Sequence, residues 1–544
     1  RRVAYTVIGE AVNLAARLEA AARPGHILVS PRVYHQTQAL FNFQAMGMTK
    51  VKGLSRPVGV YEVLGDRSES LPMRGLTGVT SILLGRDAEL ERLRDLLVAF
   101  LDDRKGRLVM IEGEAGMGKS HLVAGWLSMI EPDQITIWHG SGLPYTKAVG
   151  FSIFRSLLQD AVRVSSSGSV WDAHVSPPLR LFLWQILGSL APEEQATLRN
   201  LEPERVKRLT ISALREWIMG AARMRRIVLV LENFQWADDL SREALRSLIG
   251  MINEVPVLLC ITMRPQPKES MKPVLAVAEE SLDESLRLSL ELGPLSPEDC
   301  RRLLNHIVDL ESLPDRLVDT ILSRAEGNPL YIEEFIRMLI EKDILKLRNG
   351  QWQVVLPMAL HTLEIPTTLR GLVMARVDRL PENLRHVLRD ASVIGMQFDA
   401  RLLAEVESHI RDIEVLPLLE WLADLGLLME QPQVGEKVYS FRHVLTHETI
   451  YNSLLRSQRV TMHQAVAECI ESLYADDLEN QAEVLALHYD RASVRDKAMR
   501  YSLQAGDRAR ERFANREAVE YYSRALQLSQ YLRDCGVERW QATI

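Results

Sequence analysis

The densest chemistry in this 544-residue sequence sits at Ile111–Ser120, where Gly113, Glu114, Ala115, Gly116, Met117, Gly118, Lys119 and Ser120 satisfy GxxxxGK[ST]. With that spacing, successive backbone N–H groups and a helix N-terminus cradle a phosphate. The Lys119 amine neutralises β/γ-phosphate charge, and the Ser120 hydroxyl holds Mg2+. Far downstream, the apolar run Ile227–Leu231 ends in Glu232, Asn233, Asp238 and Asp239. Open α/β sheets place their chemistry at the carboxyl ends of strands, so Glu232 is expected on the Mg2+ side, through water. A further apolar run, VPVLLCITMRP, ends at Thr262 and Arg264. A polar group there would sense a γ-phosphate; an ordinary surface arginine is the alternative. Near the start, Asn13 and Arg17 are four residues apart and share one helix face. An amide and a guanidinium so placed can grip a phosphate or a polarised oxygen, the alternative being a solvated polar pair. His443 and His447 are also four apart, but no third ligand type accompanies them and HExxH is absent, so no zinc-type site is expected.

These residues need particular elements to hold them. The strand-like RLVMI precedes the glycine loop and the helix-like HLVAGWLSMI comes after it, the context the motif requires. Alternating strand and helix patterns over 105–265 predict a doubly wound parallel sheet with helices on both faces, IVLVL being a buried strand. Ahead of the loop, Leu90, Leu93, Leu96, Leu97 and Phe100 form one helical stripe, preceded by a Gly85-Arg86 turn that could bring backbone near a base. Residues 163–205 read as helical, interrupted at Pro177-Pro178. From LSPEDCRRLLNHIV onward the period is helical; Leu330, Phe335, Met338 and Leu339 should pack inward behind a helix-start proline, Pro329. Short helices then lead to a wing-like VYSFRH strand, consistent with a winged helix. Toward the end, Ala518, Tyr522 and Ala525, with Gly506 twelve residues ahead of Ala518, carry the spacing of a tetratricopeptide hairpin; a generic helical hairpin is the alternative.

Composition narrows the class. A chain of this length exceeds one hydrophobic core, and at about 150 residues per domain three or four domains are expected. Net charge of -7 argues against a nonspecific nucleic-acid coat, and no concentrated basic recognition helix appears in the wing segment. Cysteines at 260, 300, 469 and 535 form no CxxC pair, which fits a reducing, cytoplasmic setting. No apolar run approaches the roughly 18 residues that span a bilayer, so no membrane partner is expected. The opening at Arg1 falls inside a patterned segment, and the last residues fall partway into a further repeat unit. The chain is therefore expected to be a piece of a longer protein.

Two resemblances rest on these motifs. Residues 5–62, through GEAVNLAAR and the VKG tail, resemble the C-terminal third of a class III nucleotide cyclase catalytic domain. The resemblance implies that Asn13 orients the ribose and the attacking oxygen, that Arg17 stabilises charge on the α-phosphate, and that Lys52 grips the terminal phosphates. It places Thr6 at the purine-selecting position, where threonine accompanies adenine, and implies self-association, because the family shares its site between two domains. The metal-binding aspartates and adenine-reading lysine of the family would lie upstream of Arg1, so this piece alone is expected to be inert as a cyclase.

Residues 83–455, through LLGRDAEL, GEAGMGKS, VLVLENFQWAD, ITMRP and AEGNPLYIEE, resemble a STAND-class signalling ATPase of the AAA superfamily. That resemblance puts Pro329 near the adenine and His443 on the β-phosphate of bound ADP as a latch. The family usually carries two adjacent acids where this chain has Glu232-Asn233. An amide cannot act as general base, leaving Asp238 or Asp239 as acids for any hydrolysis.

The expected organisation is multidomain α/β plus α. It comprises a partial α+β cyclase domain at 1–65, a linker at 66–82 and a P-loop ATPase domain at 83–275. After these come a helical lid at 276–360, a winged-helix-like domain at 361–478 and the start of a repeat array at 479–544. The expected function is ATP–Mg2+ binding in a switch that governs an adenylate cyclase, with an unknown protein or small-molecule effector on the repeats. The alternative is a non-catalytic ATP-dependent transcription regulator or scaffold of the MalT-like type.

Overall fold

The computed structural model describes Leu18, residues 27–29, 41–49 and 58–66, and residues 83–534 apart from 104, 131–134, 144–149, 165–173, 191, 200, 266–267, 309, 349–350, 356–364, 411–413, 432–436 and 512–513. The chain forms two compact units, Arg1–Met73 and Arg74–Ile544. In the first, strands β1 (Ile27–Val29), β2 (Phe41–Thr49) and β3 (Val58–Asp66) form an antiparallel sheet in the order β1-β3-β2. Thr6, Asn13, Arg17 and Lys52 lie outside the described residues.

The second unit begins with α1 (Asp87–Asp103), whose Leu93, Leu97 and Phe100 are buried. Then come β4 (Arg107–Gly113), α2 (Lys119–Leu127), β5 (Ile135–Ser141), α3 (Ser152–Val164), α4 (Pro177–Leu187), α5 (Pro192–Arg199) and α6 (Pro203–Met224). They are followed by β6 (Arg226–Glu232), α7 (Asp239–Ile249), β7 (Val257–Met263), α8 (Lys268–Ser281) and β8 (Arg287–Leu292). The five strands form one parallel sheet in the order β5-β6-β7-β4-β8. β7 is buried along its whole length, as both-face coverage by helices requires.

Two expectations need correction. The ATPase boundary at 275 is too early, because β8 completes the sheet beside β4. β8 reads RLSLEL, and as an edge strand it buries only alternate residues near its end, so its apolar content is too thin to stand out as a run. Pro177-Pro178 does not interrupt a helix; it begins α4 at the first-turn positions, where the missing N–H costs nothing.

Beyond β8, α9 (Pro297–Ile307), α10 (Asp315–Ala325) and α11 (Pro329–Glu341) share a core with the hairpin β9 (Leu345–Arg348) and β10 (Gln351–Val354). The segment expected to be a helical lid therefore also carries strands. Leu330, Phe335, Met338 and Leu339 are buried in α11, as its helical period requires. Next are α12 (Leu369–Val377), α13 (Glu382–Ile394), β11 (Gln397–Asp399), α14 (Ala400–Ile410), α15 (Leu416–Asp424), β12 (Leu428–Gln431), β13 (Val438–Phe441) and α16 (Val444–Ser453), with an antiparallel sheet ordered β11-β13-β12. Four helices end the described chain: α17 (Arg456–Leu473), α18 (Ala482–Arg491), α19 (Arg495–Glu511) and α20 (Asn515–Asp534). α19 and α20 approach closely at Gly506, where a Cβ would come within 2.7 Å of the Tyr522 ring. Among the described residues no helix is long and apolar enough to cross a membrane.

Candidate functional site

The sheet delivers the glycine loop at the carboxyl edge of β4, between β7 and β8. Gly116 and Gly118 both have φ of 87°, a left-handed conformation that costs other residues roughly 1–2 kcal/mol. Gly118 caps α2, and Lys119 and Ser120 begin it. The Lys119 Nζ folds back over the loop and donates to the carbonyls of Gly113 at 2.6 Å and Glu114 at 2.9 Å. Burial pushes the Lys119 amine down to about 8; Arg264 adds to the shift, while Glu114 and Glu232 oppose it. A desolvated ammonium next to a helix N-terminus gains most from an anion, which fits a phosphate group.

Glu232 ends β6, and both its charge and that of Arg264, just past β7, act on Lys119. The structure thus brings Lys119, Glu232 and Arg264 to one edge of the sheet. Asn233 adopts φ of 55°, a left-handed position that asparagine tolerates better than most residues, and its N–H points to Thr262 Oγ1 at 3.4 Å. The Arg264 N–H donates to Gln235 Oε1 at 3.1 Å, tying the ends of β6 and β7 together. The Arg264 guanidinium faces Glu448 of α16 at 3.6 Å.

Asp238 does not fit the role of a hydrolytic base. It is 1% exposed, caps α7, and accepts hydrogen bonds from the N–H groups of Phe151, Ser152 and Ser241 and from the hydroxyls of Ser152 and Ser241. Its lone pairs are spent on holding two helix starts. Asp239 is engaged by Arg242 and by Arg516 of α20.

The segment after β8 closes over the loop. Asn328 caps α11 and its Nδ2 donates to Ala115 O at 3.2 Å; a Cβ on Gly116 would sit 2.6 Å from its Oδ1. Pro329 is therefore at the first turn of a helix whose N-terminus abuts the glycine loop. On the other side, buried Arg86 donates to Gly293 O at 2.5 Å and Met117 O at 3.4 Å, and pairs with Glu89. Further along α11, Glu334 meets Arg376, which also donates to Glu341 at 2.9 Å and to Leu425 O at 2.9 Å. Burial opposes ionisation of Glu334, but Arg376, Arg337 and His443 outweigh it and hold its carboxyl below the usual range. His443 caps α16, the helix that carries Glu448. His447 packs inward, its Nε2 on Ser392 O at 3.0 Å, and burial pushes it down to about 4.

Thr262 and the Gly85-Arg86 turn are marked in the sequence by their places beside a strand end and a helix start, whereas Asn328 and Gln235 are not singled out by spacing. The only local signal for Asn328 was its position before Pro329, an N-cap pattern. Among the described residues no group of three or more His, Cys, Asp or Glu side chains is arranged to hold a metal ion.

Comparison with known proteins places this geometry in a class. Residues 82–261 match the family model of an AAA ATPase domain, and residues 1–65 match that of the adenylate and guanylate cyclase catalytic domain. Residues 296–353 match a domain of unknown function. The chain thus joins an AAA ATPase domain to a cyclase-type segment. It is similar to an uncharacterized protein of Rhizobium meliloti, 26% identical over 545 aligned positions, covering 96% of this chain and 50% of that protein. It is also similar to adenylate cyclase type 10 of Mus musculus, 20% identical over 470 positions, covering 74% of this chain and 28% of that protein. The chain spans half or less of the length of these relatives. Among solved structures, a Pyrococcus horikoshii STAND protein with a tetratricopeptide repeat sensor aligns at TM-score 0.40 and 14% identity, covering 83% of this chain and 58% of that one. Aeropyrum pernix ORC1, solved in complex with DNA, aligns at TM-score 0.32 and 15% identity, covering 69% and 94%.

Proposed function

We propose that the chain is an ATP-operated switch of the STAND type, preceded in sequence by a cyclase segment whose output is cyclic AMP and diphosphate from ATP. The observation that carries the ATP site is the Lys119 amine, desolvated and folded over a loop whose two glycines have the left-handed backbone that phosphate cradling needs. Lys119 would hold the β- and γ-phosphates, and Ser120 and Glu232 would take Mg2+, which shields phosphate charge when bound. In this conformation Arg264 is engaged by Glu448 and the loop by Asn328, an arrangement suited to a closed state. A γ-phosphate would compete with Glu448 for Arg264, and His443 is read as part of the same latch. The antiparallel sheet and helices of 361–453 are read as a winged helix, and α17–α20 as repeat-type hairpins open to an effector. ATP and effector together would shift the population toward an assembling state.

Calorimetry tests the ATP site: K119A should abolish ATP–Mg2+ binding, and unchanged affinity would overturn the assignment. The cyclase reading has its own test in the full-length protein. Asn13→Ala or Arg17→Ala should lower cyclic AMP formation by roughly 10²-fold or more. Absence of any cyclic AMP from the parent would sink that reading and leave ATP binding untouched.

A further inference from the structure

The last helical hairpin is seated on the nucleotide module. Ala509, Ala514 and Ala518 are buried in the same core as Leu229, Leu231, Phe234 and Leu240. At Gly150 the backbones crowd: a Cβ there would lie 2.9 Å from the Leu240 side chain and 3.8 Å from Ala514 Cβ. The seam falls on the first residue of α7, only seven positions after Glu232. There Arg516 pairs with Asp239 at 3.0 Å, while Arg242 takes Asp239's other oxygen. Beside them Glu517 is 5% exposed. Its carboxyl receives the backbone N–H of Asp239 and its own.

We propose that this joint is proton-locked: the α19–α20 hairpin rests on the nucleotide module with the Glu517 side chain neutral, and ionisation of Glu517 loosens it. The charge arrangement gives the reason. The seam sets three carboxyls, Asp238, Asp239 and Glu517, against two guanidiniums, Arg242 and Arg516, and both guanidiniums pair with Asp239. On α20 itself, Glu520 faces Arg516 at 3.8 Å. On α19, Asp507 is taken up by the Tyr522 hydroxyl at 2.7 Å. Gly150, Phe151 and Ser152, ahead of and opening α3, contribute no ionisable group. Among the described residues no cation lies within ion-pair distance of Glu517. Burial, with Asp238 and Asp239 adding like charge, pushes the Glu517 carboxyl up to about 7 against its two backbone donors.

Linkage sets the sign. A carboxyl whose pKa is raised on docking favours the docked state at low pH, and that advantage fades as pH rises through about 7. With an undocked value of 4.5, the docking constant falls roughly tenfold between pH 6 and pH 8. Because α7 continues directly from the segment joining it to Glu232, loosening the seam would reach the loop at the nucleotide site. Docking of the hairpin is separate from ATP binding, so the two readings stand or fall on different measurements.

The experiment is hydrogen exchange on the whole chain, corrected for intrinsic rates, at pH 6 and pH 8. Wild-type amides of 239–249 and 515–534 should lose about tenfold protection at pH 8 relative to pH 6, while β4 stays unchanged. E517Q should hold its pH 6 protection at both values; R516A should lower protection at both without changing the ratio. A wild type with no pH response, or an E517Q with the wild-type ratio, would overturn the proposal. If E517Q exposes β4, E517M, neutral and of similar volume, is judged by the same criterion.

Discussion

Replacing Asp238 by alanine separates a structural acid from a catalytic one. The carboxylate accepts from Phe151 N and Ser152 N at 2.9 Å, Ser152 Oγ at 3.0 Å, Ser241 N at 2.8 Å and Ser241 Oγ at 2.5 Å. Losing the cap on α7 costs about 1 kcal/mol, and orphaning two more buried N–H groups costs about 1–3 kcal/mol each. Removing a buried charge, whose desolvation pushes the Asp238 carboxyl up, offsets part of this. A net loss of about 3–5 kcal/mol remains, which lowers the melting temperature by roughly 6–20 °C at about 2–4 °C per kcal/mol. Asp238→Asn keeps one acceptor oxygen and should fall between alanine and wild type. Thermal scans of the intact chain give the first readout, and ATP–Mg2+ calorimetry well below the transition gives the second, where affinity should be retained. An alanine variant that melts like wild type but loses ATP turnover would refute the structural assignment and restore Asp238 as a base.

Two further outcomes are expected. Lys119 sits at about 8 rather than 10.5 in the free protein, so phosphate binding should draw a proton onto it as pH rises above about 8. ATP calorimetry at pH 9 in buffers of different ionisation enthalpy should show this uptake and K119R should not; no uptake in wild type would count against Lys119 as the phosphate ligand. The partly exposed Arg264–Glu448 pair should contribute about 0.5–1 kcal/mol to the proposed closed state, so Glu448→Gln should tighten ATP binding by about two- to fivefold, and weaker binding would contradict the competition for Arg264.

The parallel sheet and its glycine loop were legible because their determinants are local. GEAGMGKS places two glycines where φ must be positive and a lysine at the first position of the helix that follows the loop, and β6 and β7 announce themselves as continuous apolar runs. β8 escaped because its RLSLEL pattern carries polar residues at every second position. Pro177-Pro178 misled because a proline pair breaks or starts a helix with equal ease, and only the chain before it decides which. Asp238 looked available as a base because its partners Phe151 and Ser152 lie 87 and 86 residues away, beyond the reach of any periodic pattern.

By itself, then, the sequence determined the phosphate-binding loop, the class of the sheet and the helical character of the segments beyond it, since each rests on backbone preference or apolar period within a few turns. Tertiary structure alone decided which charges are committed to which partners. Arg86 spans 207 residues to reach Gly293, Asn328 spans 213 to hold Ala115, and Arg516 spans 277 to meet Asp239. Ion pairs and caps of that kind depend on distances of a few ångströms between surfaces that only folding brings together. They, rather than the loop they surround, are what the sequence could not show.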